Sequence, residues 1–260
     1  MITFLSLTSG SSGNATFISD GNSKILIDCG MSGSRLKSAL SNVDVDISEL
    51  DAVLITHEHS DHIKGLGVIA RKYQIPVFAT FKSFSGMKNI GEFDDSLKNA
   101  ITDELEIGKI GIRAFSIPHD ALDPVGYNFF IDNTKLSLAT DIGKMNDDVF
   151  TSIEGSKYVI LESNHDVDIL RLGSYPYNLK KRILSPFGHL SNEDAAKTAL
   201  KLAESGTEHF MLAHLSRENN LPEIAQVTTE NIFKANNIRL DRDVTLTVAS
   251  RDDITMFKAV

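Results

Sequence analysis

Two spacings of apolar residues alternate along this chain: every second position, which suits strands, and every third or fourth, which suits helices. Residues 2–7 alternate apolar and polar, as do Ala15-Thr16-Phe17-Ile18, with Thr8-Ser9-Gly10-Ser11-Ser12-Gly13-Asn14 between them. Two strands around a centre of small residues predict a hairpin or wide loop. Lys24-Ile25-Leu26-Ile27 reads as a buried strand ending at Asp28-Cys29-Gly30, and Leu36 with Leu40 sets a helix over 33–42. A strand over 51–55 delivers the polar run Thr56-His57-Glu58-His59-Ser60-Asp61-His62, and a helical pattern continues from there to about Tyr73. Pro76-Val77-Phe78-Ala79 is a short strand, and 81–100 reads as a helix followed by a charged loop.

From 104 the pattern turns to strands. Glu104 to Ile107, Gly111 to Ile117, Val125 to Asp132 and Lys135 to Thr140 form an antiparallel meander, with a tight turn at Asn133-Thr134. Tyr158-Val159-Ile160-Leu161 is a strand running into Glu162-Ser163-Asn164-His165-Asp166, followed by an irregular stretch up to Pro186-Phe187-Gly188-His189-Leu190. Ser191-Asn192-Glu193-Asp194 carries a capping signature for a helix over 192–204. His209 to Ala213 is a strand ending at His214, then come a helix around 222–236 and strands over 243–248 and 254–257. No linker or low-complexity segment divides the chain, so one domain over 1–260 is expected, with two strand-rich halves and helices outside.

Composition narrows the class without choosing a function. At 260 residues the chain can bury a large core, and 42% hydrophobic with 23% charged residues is ordinary for a globular protein. A formal charge of −9 argues against sequence-blind binding to the outside of a duplex. That argument weakens if several Asp residues hold divalent ions, since two such ions return about four positive charges. With Cys29 alone, no disulfide forms within the chain, and a reducing compartment fits. The first residues lack a basic region and a long apolar core, and no apolar run approaches bilayer length, so the expectation is a cytoplasmic protein with no membrane contact.

The polar run after the 51–55 strand changes the picture most. His57, His59, Asp61 and His62 place three imidazoles and a carboxylate within six residues. Imidazole and carboxylate are borderline and hard donors that suit zinc, manganese or iron. In an extended segment His57 and His59 share one side, while Asp61 and His62 fall where a helix begins, so the pairs aim differently and suggest two metals. Asp28, His119, Asp141 and His214 also lie at or just beyond strand C-termini, the edge at which sites form in α/β sheets. His189 is surplus to two metal shells, precedes a capped helix whose N-terminus favours an anion, and reads either as a phosphate contact or proton donor or as a structural hydrogen bond. The Ser9–Asn14 loop is either a plain connector or a nest of N–H groups and hydroxyls for an anion. Cys29 reads as a small buried residue ahead of a thiol ligand, and His209 as structural.

His57-x-His59-x-Asp61-His62, with Asp28 upstream and His119, Asp141 and His214 downstream, resembles the five-motif signature of the metallo-β-lactamase fold. The resemblance runs from Asp28 to His214 and implies an αββα sandwich, two β-sheets with helices on both outer faces. It further implies one metal on His57, His59 and His119, a second on Asp61, His62 and His214, Asp141 bridging them, and Asp28 behind the ligands orienting their loop. Ser9 to Asn14, Asp28-Cys29-Gly30, Glu162 to Asp166, Gly188 to Asn192 and Ala213 to Ser216 resemble the YycJ/WalJ-type group, regarded as DNA exonucleases. The interval from Asp141 to His214 is too short for the extra domain of the β-CASP nucleases, and no candidate for the long arm of tRNA 3′-processing enzymes is visible.

The expected activity is therefore hydrolysis of a phosphodiester by two divalent ions, zinc or manganese ahead of iron. Such ions, about 3.5–4 Å apart, lower the pKa of a bridging water and so supply hydroxide. Asp61, Asp141 and His189 are the catalytic candidates, and Ser11, Ser12, Asn14, Asn164 and His189 the candidates for phosphate or substrate, with a DNA end as partner and, by the resemblance, 5′-to-3′ polarity. A thioester or lactone hydrolase on the same metals is the rival enzyme class. A metal-stabilised regulatory protein is the rival outside enzymes, against which the intact Asp61 speaks; a redox di-iron role is disfavoured by His59. Oligomeric state is not legible.

Overall fold

The computed structural model describes residues 2–102 and 104–257. In chain order the first half holds β1 (Thr3–Thr8), β2 (Ala15–Ser19), β3 (Lys24–Ile27), α1 (Gly33–Ser41), β4 (Ala52–Leu54), α2 (Ser60–Ile63), α3 (Leu66–Tyr73), β5 (Val77–Ala79), α4 (Phe81–Gly86) and β6 (Lys98–Ala100). The second half holds β7 (Glu104–Ile107), β8 (Ile110–Ser116), β9 (Val125–Ile131), β10 (Thr134–Ala139), α5 (Asp147–Ile153), β11 (Tyr158–Glu162), α6 (Val167–Leu172), α7 (Tyr177–Ile183), α8 (Asn192–Glu204), β12 (His209–Ala213), α9 (Pro222–Ala235), β13 (Thr245–Val248) and β14 (Thr255–Met256).

These strands form two mixed sheets in the order β14-β1-β2-β3-β4-β5-β6 and β13-β12-β11-β10-β9-β8-β7. Each half of the chain builds one sheet, except that β14 returns to pair antiparallel with β1. Alternation along the strands sorts side chains into two kinds of core. Ile25, Ile27, Leu54, Ile160, Met211 and Tyr127 meet between the sheets. Leu26 and Val53 turn the other way, onto Leu36, Leu40 and Ile69 of the helices outside the first sheet. Val159, Leu161, Phe210 and Leu212 likewise pack on Ala195, Ala199, Leu202 and Phe233 outside the second. The layers therefore run helix, sheet, sheet, helix, as the resemblance implies.

Periodicity located β3, β12 and α8 with their ends, and Ser191 caps α8 by accepting from the Asp194 amide. Three stretches differ from expectation. The charged loop assigned within 81–100 contains β6, which extends the first sheet parallel to β5. The stretch assigned as irregular between 166 and 186 contains α6 and α7, and α5 precedes β11 where no helix was expected. These elements are six or seven residues at most, too short for a 3.6-residue period to repeat.

Candidate metal centre

The site lies at the C-terminal ends of β3, β4, β8, β10, β11 and β12, so both sheets contribute. Three of its residues sit where a strand turns abruptly, with left-handed φ near +60°: Asp28 at 61°, Asp141 at 61° and His214 at 57°. A non-glycine residue there costs of order 1 kcal/mol or more, and such strain concentrates at functional sites.

The 57–62 loop is held from below. Asp28 Oδ1 accepts from the Thr56 amide at 2.9 Å, and Oδ2 pairs with His62 Nδ1 at 2.7 Å. Thr56 Oγ1 lies 3.0 Å from His57 Nδ1. The backbone of the Ser9–Asn14 loop closes against the same segment, Asn14 N–H donating to the Asp61 carbonyl at 2.8 Å. Gly30 lets the chains approach this closely: a Cβ on it would stand 1.7 Å from the Asp61 carbonyl oxygen.

The downstream residues are anchored in the same manner. His119 Nδ1 bonds the Gly188 carbonyl at 3.0 Å, and His214 Nδ1 bonds Glu162 Oε1 at 2.8 Å. In His57, His62, His119 and His214 one ring nitrogen is thus occupied by an oriented partner, leaving Nε2 to face the centre. Hydrogen bonds of this kind fix the tautomer and direction of a metal-ligating histidine.

Donor atoms converge in groups whose members lie within 4.8 Å of one another: His57, His59 and His119; Asp61, His62 and His214; and His57, His62 and Asp141. Asp141 lies between the groups, its Oδ2 3.5 Å from His62 Nε2 and its Oδ1 3.8 Å from His119 Nε2. His57 Nε2, His214 Nε2 and Asp141 Oδ2 are buried and find no hydrogen-bond partner among the described residues. Buried polar atoms are almost always paired, so orphans aimed at one point fit a divalent cation. All seven expected ligands are brought together, with Asp28 behind them, and the nitrogen–oxygen donor set suits a divalent ion.

Electrostatics agree with a centre built for positive charge. Burial favours neutral His62, but Asp28, Asp141 and Asp61 outweigh it and raise its pKa to about 9. His214 is raised too, against its own burial, by Asp141, Asp61 and Glu162. Burial, reinforced by His62, His119 and His59, holds His57 well below its usual range and so keeps it a neutral donor. Asp61 resists its own burial: His62 and His214 hold it below the usual carboxylate range.

Glu162 was read only as part of a motif and given no role. Its carboxylate is fully buried, Oε1 accepting from both His189 Nδ1 and His214 Nδ1 at 2.8 Å. Oε2 accepts from the amides of Ile142 at 2.7 Å and Leu190 at 3.0 Å. Burial pushes Glu162 up, yet His189 and His214 keep it ionised far below the usual range. No period or spacing announces it, because its partners come from three other loops.

Several expected substrate contacts sit differently. Asn164 is 3% exposed and spends its amide on the His214 carbonyl, so it supports a ligand loop rather than facing substrate. Asn14 is also buried, its Oδ1 accepting from Gly10 N and its Nδ2 3.1 Å from His62 Nε2, against the ligand shell. The α8 N-terminus is occupied by the protein itself: Asn192 N–H donates to the His165 carbonyl, and Glu193 and Asp194 fill the first turn. Ser11 and Ser12 are exposed at the tip of their loop. His189 is 16% exposed by side chain, its ring between those of His119 and His214.

The remaining histidines and the cysteine lie outside the donor groups. His165 is buried, neither ring nitrogen finds a hydrogen-bond partner among the described residues, and burial lowers its pKa to about 4, so its ring is neutral. His209 bonds Thr245 Oγ1 at 2.9 Å and stacks on Tyr158, a structural role as expected. The Cys29 thiol packs in the core beneath α1 and α3, and burial raises its pKa, so it stays protonated and belongs to none of the donor groups.

The family model described as the metallo-beta-lactamase superfamily matches residues 8–214 of the chain. Exodeoxyribonuclease YycJ of Bacillus anthracis is 40% identical over 234 residues, 89% of this chain and 89% of that protein. Exodeoxyribonuclease WalJ of Streptococcus pneumoniae is 42% identical over 234 residues, 86% of each. Among solved structures, the metallo-beta-lactamase fold protein YhfI from Bacillus subtilis superposes with a TM-score of 0.70 at 16% identity, covering 98% of both chains, a likeness of fold.

Proposed function

The chain belongs to the metallo-beta-lactamase superfamily, in its YycJ/WalJ group, and from that premise we propose that it is an exodeoxyribonuclease using two divalent ions. The observation that carries the reading is identity of 40% and 42% to two exodeoxyribonucleases over 234 residues, a span that takes in every candidate ligand. In this reading His57, His59 and His119 hold one ion, Asp61, His62 and His214 the other, and Asp141 lies between them. Bound there, the ions supply an activated water and neutralise charge developing on the phosphoryl oxygens.

The chain's own groups do the rest. Glu162 fixes His214 in the tautomer that presents Nε2 and aims His189 with the same oxygen. With Nδ1 given to Glu162, His189 keeps Nε2 to donate a proton to the leaving oxygen or to bond a phosphoryl oxygen. Ser11 and Ser12 offer hydroxyls to a terminal phosphate, which favours attack from an end and, with a 5′-phosphate there, 5′-to-3′ polarity. Zinc or manganese, a single domain and a cytoplasmic location complete the proposal. Among the described residues no helix is long and apolar enough to cross a membrane.

The test offers 5′-phosphorylated and dephosphorylated oligonucleotides to protein loaded with manganese or zinc, with Asp61→Ala as control. Release of mononucleotides that is faster on the phosphorylated end and falls at least 100-fold in Asp61→Ala is expected. Turnover of a thioester or lactone with no mononucleotide released under either metal would sink the nuclease reading.

A further inference from the structure

From Leu170 to Phe187 the chain contains no Asp or Glu, although it carries 35 of them against 26 Lys and Arg. The same stretch holds Arg171, Lys180, Lys181 and Arg182 with Tyr175, Tyr177 and Phe187. It comprises the end of α6, all of α7 and the loop into Gly188, whose carbonyl fixes His119. The sign of the surface therefore reverses beside the metal centre.

Leu170 and Ile183 anchor the stretch in the core, and many of its other side chains are turned outward. Tyr177 is 78% exposed and Phe187 58%, large rings that folding leaves largely in water. Tyr177 lines a groove with Pro186, which Phe187 follows in the chain, and exposed apolar surface beside a groove marks a binding surface. Arg171 and Lys181 are exposed, and neither pairs with a carboxylate among the described residues. Lys180 is committed instead, its Nζ donating to the carbonyls of Arg171 at 2.8 Å and Gly173 at 2.6 Å, which ties α7 to the end of α6. A groove of about 550 Å³ opens among Arg171, Tyr177, Lys181, Leu184 and Pro186. At the other end, Arg182 grips Asp120 through two nitrogens, and the Asp120 amide donates to the Phe187 carbonyl at 3.1 Å. Asp120 follows His119, so this end of the stretch is tied to a candidate ligand.

We propose that this face is the track on which single-stranded DNA lies as its end enters the metal centre. Tyr177 and Phe187 stack successive bases, and Arg171 and Lys181 meet the phosphates between them. The inference rests on the exonuclease reading and names how that enzyme holds its substrate. An enzyme that removes nucleotides in any sequence needs contacts blind to base identity. Aromatic faces and point cations are such contacts, since every base has a π-face and every linkage a charge. An apolar protein surface would use the rings but leave Arg171 and Lys181 without complement.

Two double variants separate the contributions: Tyr177→Leu with Phe187→Leu, and Arg171→Gln with Lys181→Gln. Affinity for a labelled single strand is read by fluorescence anisotropy over a salt series, beside KM and kcat on the same strand, with melting temperature to confirm folding. The ring pair should weaken binding and raise KM at least tenfold, with kcat at saturation moving less than KM. The charge pair should reduce the slope of log affinity against log salt by about 1.4, the loss of two phosphate contacts. Unchanged affinity and slope in both variants, while the parent protein releases mononucleotides, overturn the track and leave the exonuclease standing. A parent protein that binds single strands in this manner but releases no mononucleotides overturns the exonuclease reading instead. Binding of no single strand by the parent protein overturns the track directly, as does self-association that the ring variant abolishes while DNA affinity is unchanged.

Discussion

At the scale of single residues, Glu162 decides more than its position suggests. All four groups that contact its carboxylate are donors: two imidazole N–H groups and the amides of Ile142 and Leu190. A carboxylate accepts from all of them; a carboxamide must point N–H at one pair or the other. Glu162→Gln should therefore lower metal affinity or kcat/KM by about 10- to 100-fold with little loss of secondary structure, the scale seen when partners behind metal ligands are removed. Metal titration and steady-state rates check this, and parent-like values in both would remove Glu162 from the machinery. The seven candidate ligands were legible because four of them fall within six residues and the other three stand just beyond strand ends, in the order of a known signature. Glu162 was not, because its two histidines lie 27 and 52 positions away and only folding brings them to one oxygen. Asn14 and Asn164 are buried and hydrogen-bonded within the protein, a placement their sequence neighbourhood does not announce, since an amide near a site can as well brace a loop as meet a ligand.

At the scale of elements, the β1–β2 loop, the segment after β3 and the start of α2 meet backbone to backbone beside the site. Gly30→Ala would place its Cβ 1.7 Å from the Asp61 carbonyl oxygen and 2.5 Å from the Asn14 amide nitrogen, both backbone atoms that cannot swing aside. The expected result is a loss of about 3 kcal/mol in stability, at the upper end for overpacking, and a metal affinity at least tenfold weaker because Asp61 and His62 are displaced. Calorimetry and metal titration would show it, and a variant matching the parent in both would mean that the loop yields without cost. The central strands were readable here as apolar runs buried on both faces, and the long helices because each buries one face. α6 and α7 were not, for they set Leu172 and Tyr177 toward solvent, inverting the polarity on which periodicity depends.

At the scale of the whole molecule, the centre joins the two sheets. His57, His59, Asp61 and His62 follow a strand of the first, while His119, Asp141 and His214 follow strands of the second. Bound ions add free energy to the folded state in proportion to the logarithm of their saturation, about 4 kcal/mol at a thousandfold excess over the dissociation constant. A strong chelator should accordingly lower the melting temperature by several degrees and readdition of zinc or manganese restore it, with Asp141→Ala insensitive to both. A chelator response of the same size in Asp141→Ala would place the stabilising ion elsewhere.

The anchored imidazoles carry one more consequence. Thr56, Asp28, the Gly188 carbonyl and Glu162 hold the rings of His57, His62, His119 and His214 through protein bonds alone. An ion entering such a cage finds its ligands already aimed, so loading is a matter of diffusion and proton loss, and release one of bond breaking, with no refolding in either direction. A cage whose rings are set in advance favours the ions whose coordination geometry it matches. That match, the nitrogen–oxygen donor set and the supply in the surroundings would together set which ion is held.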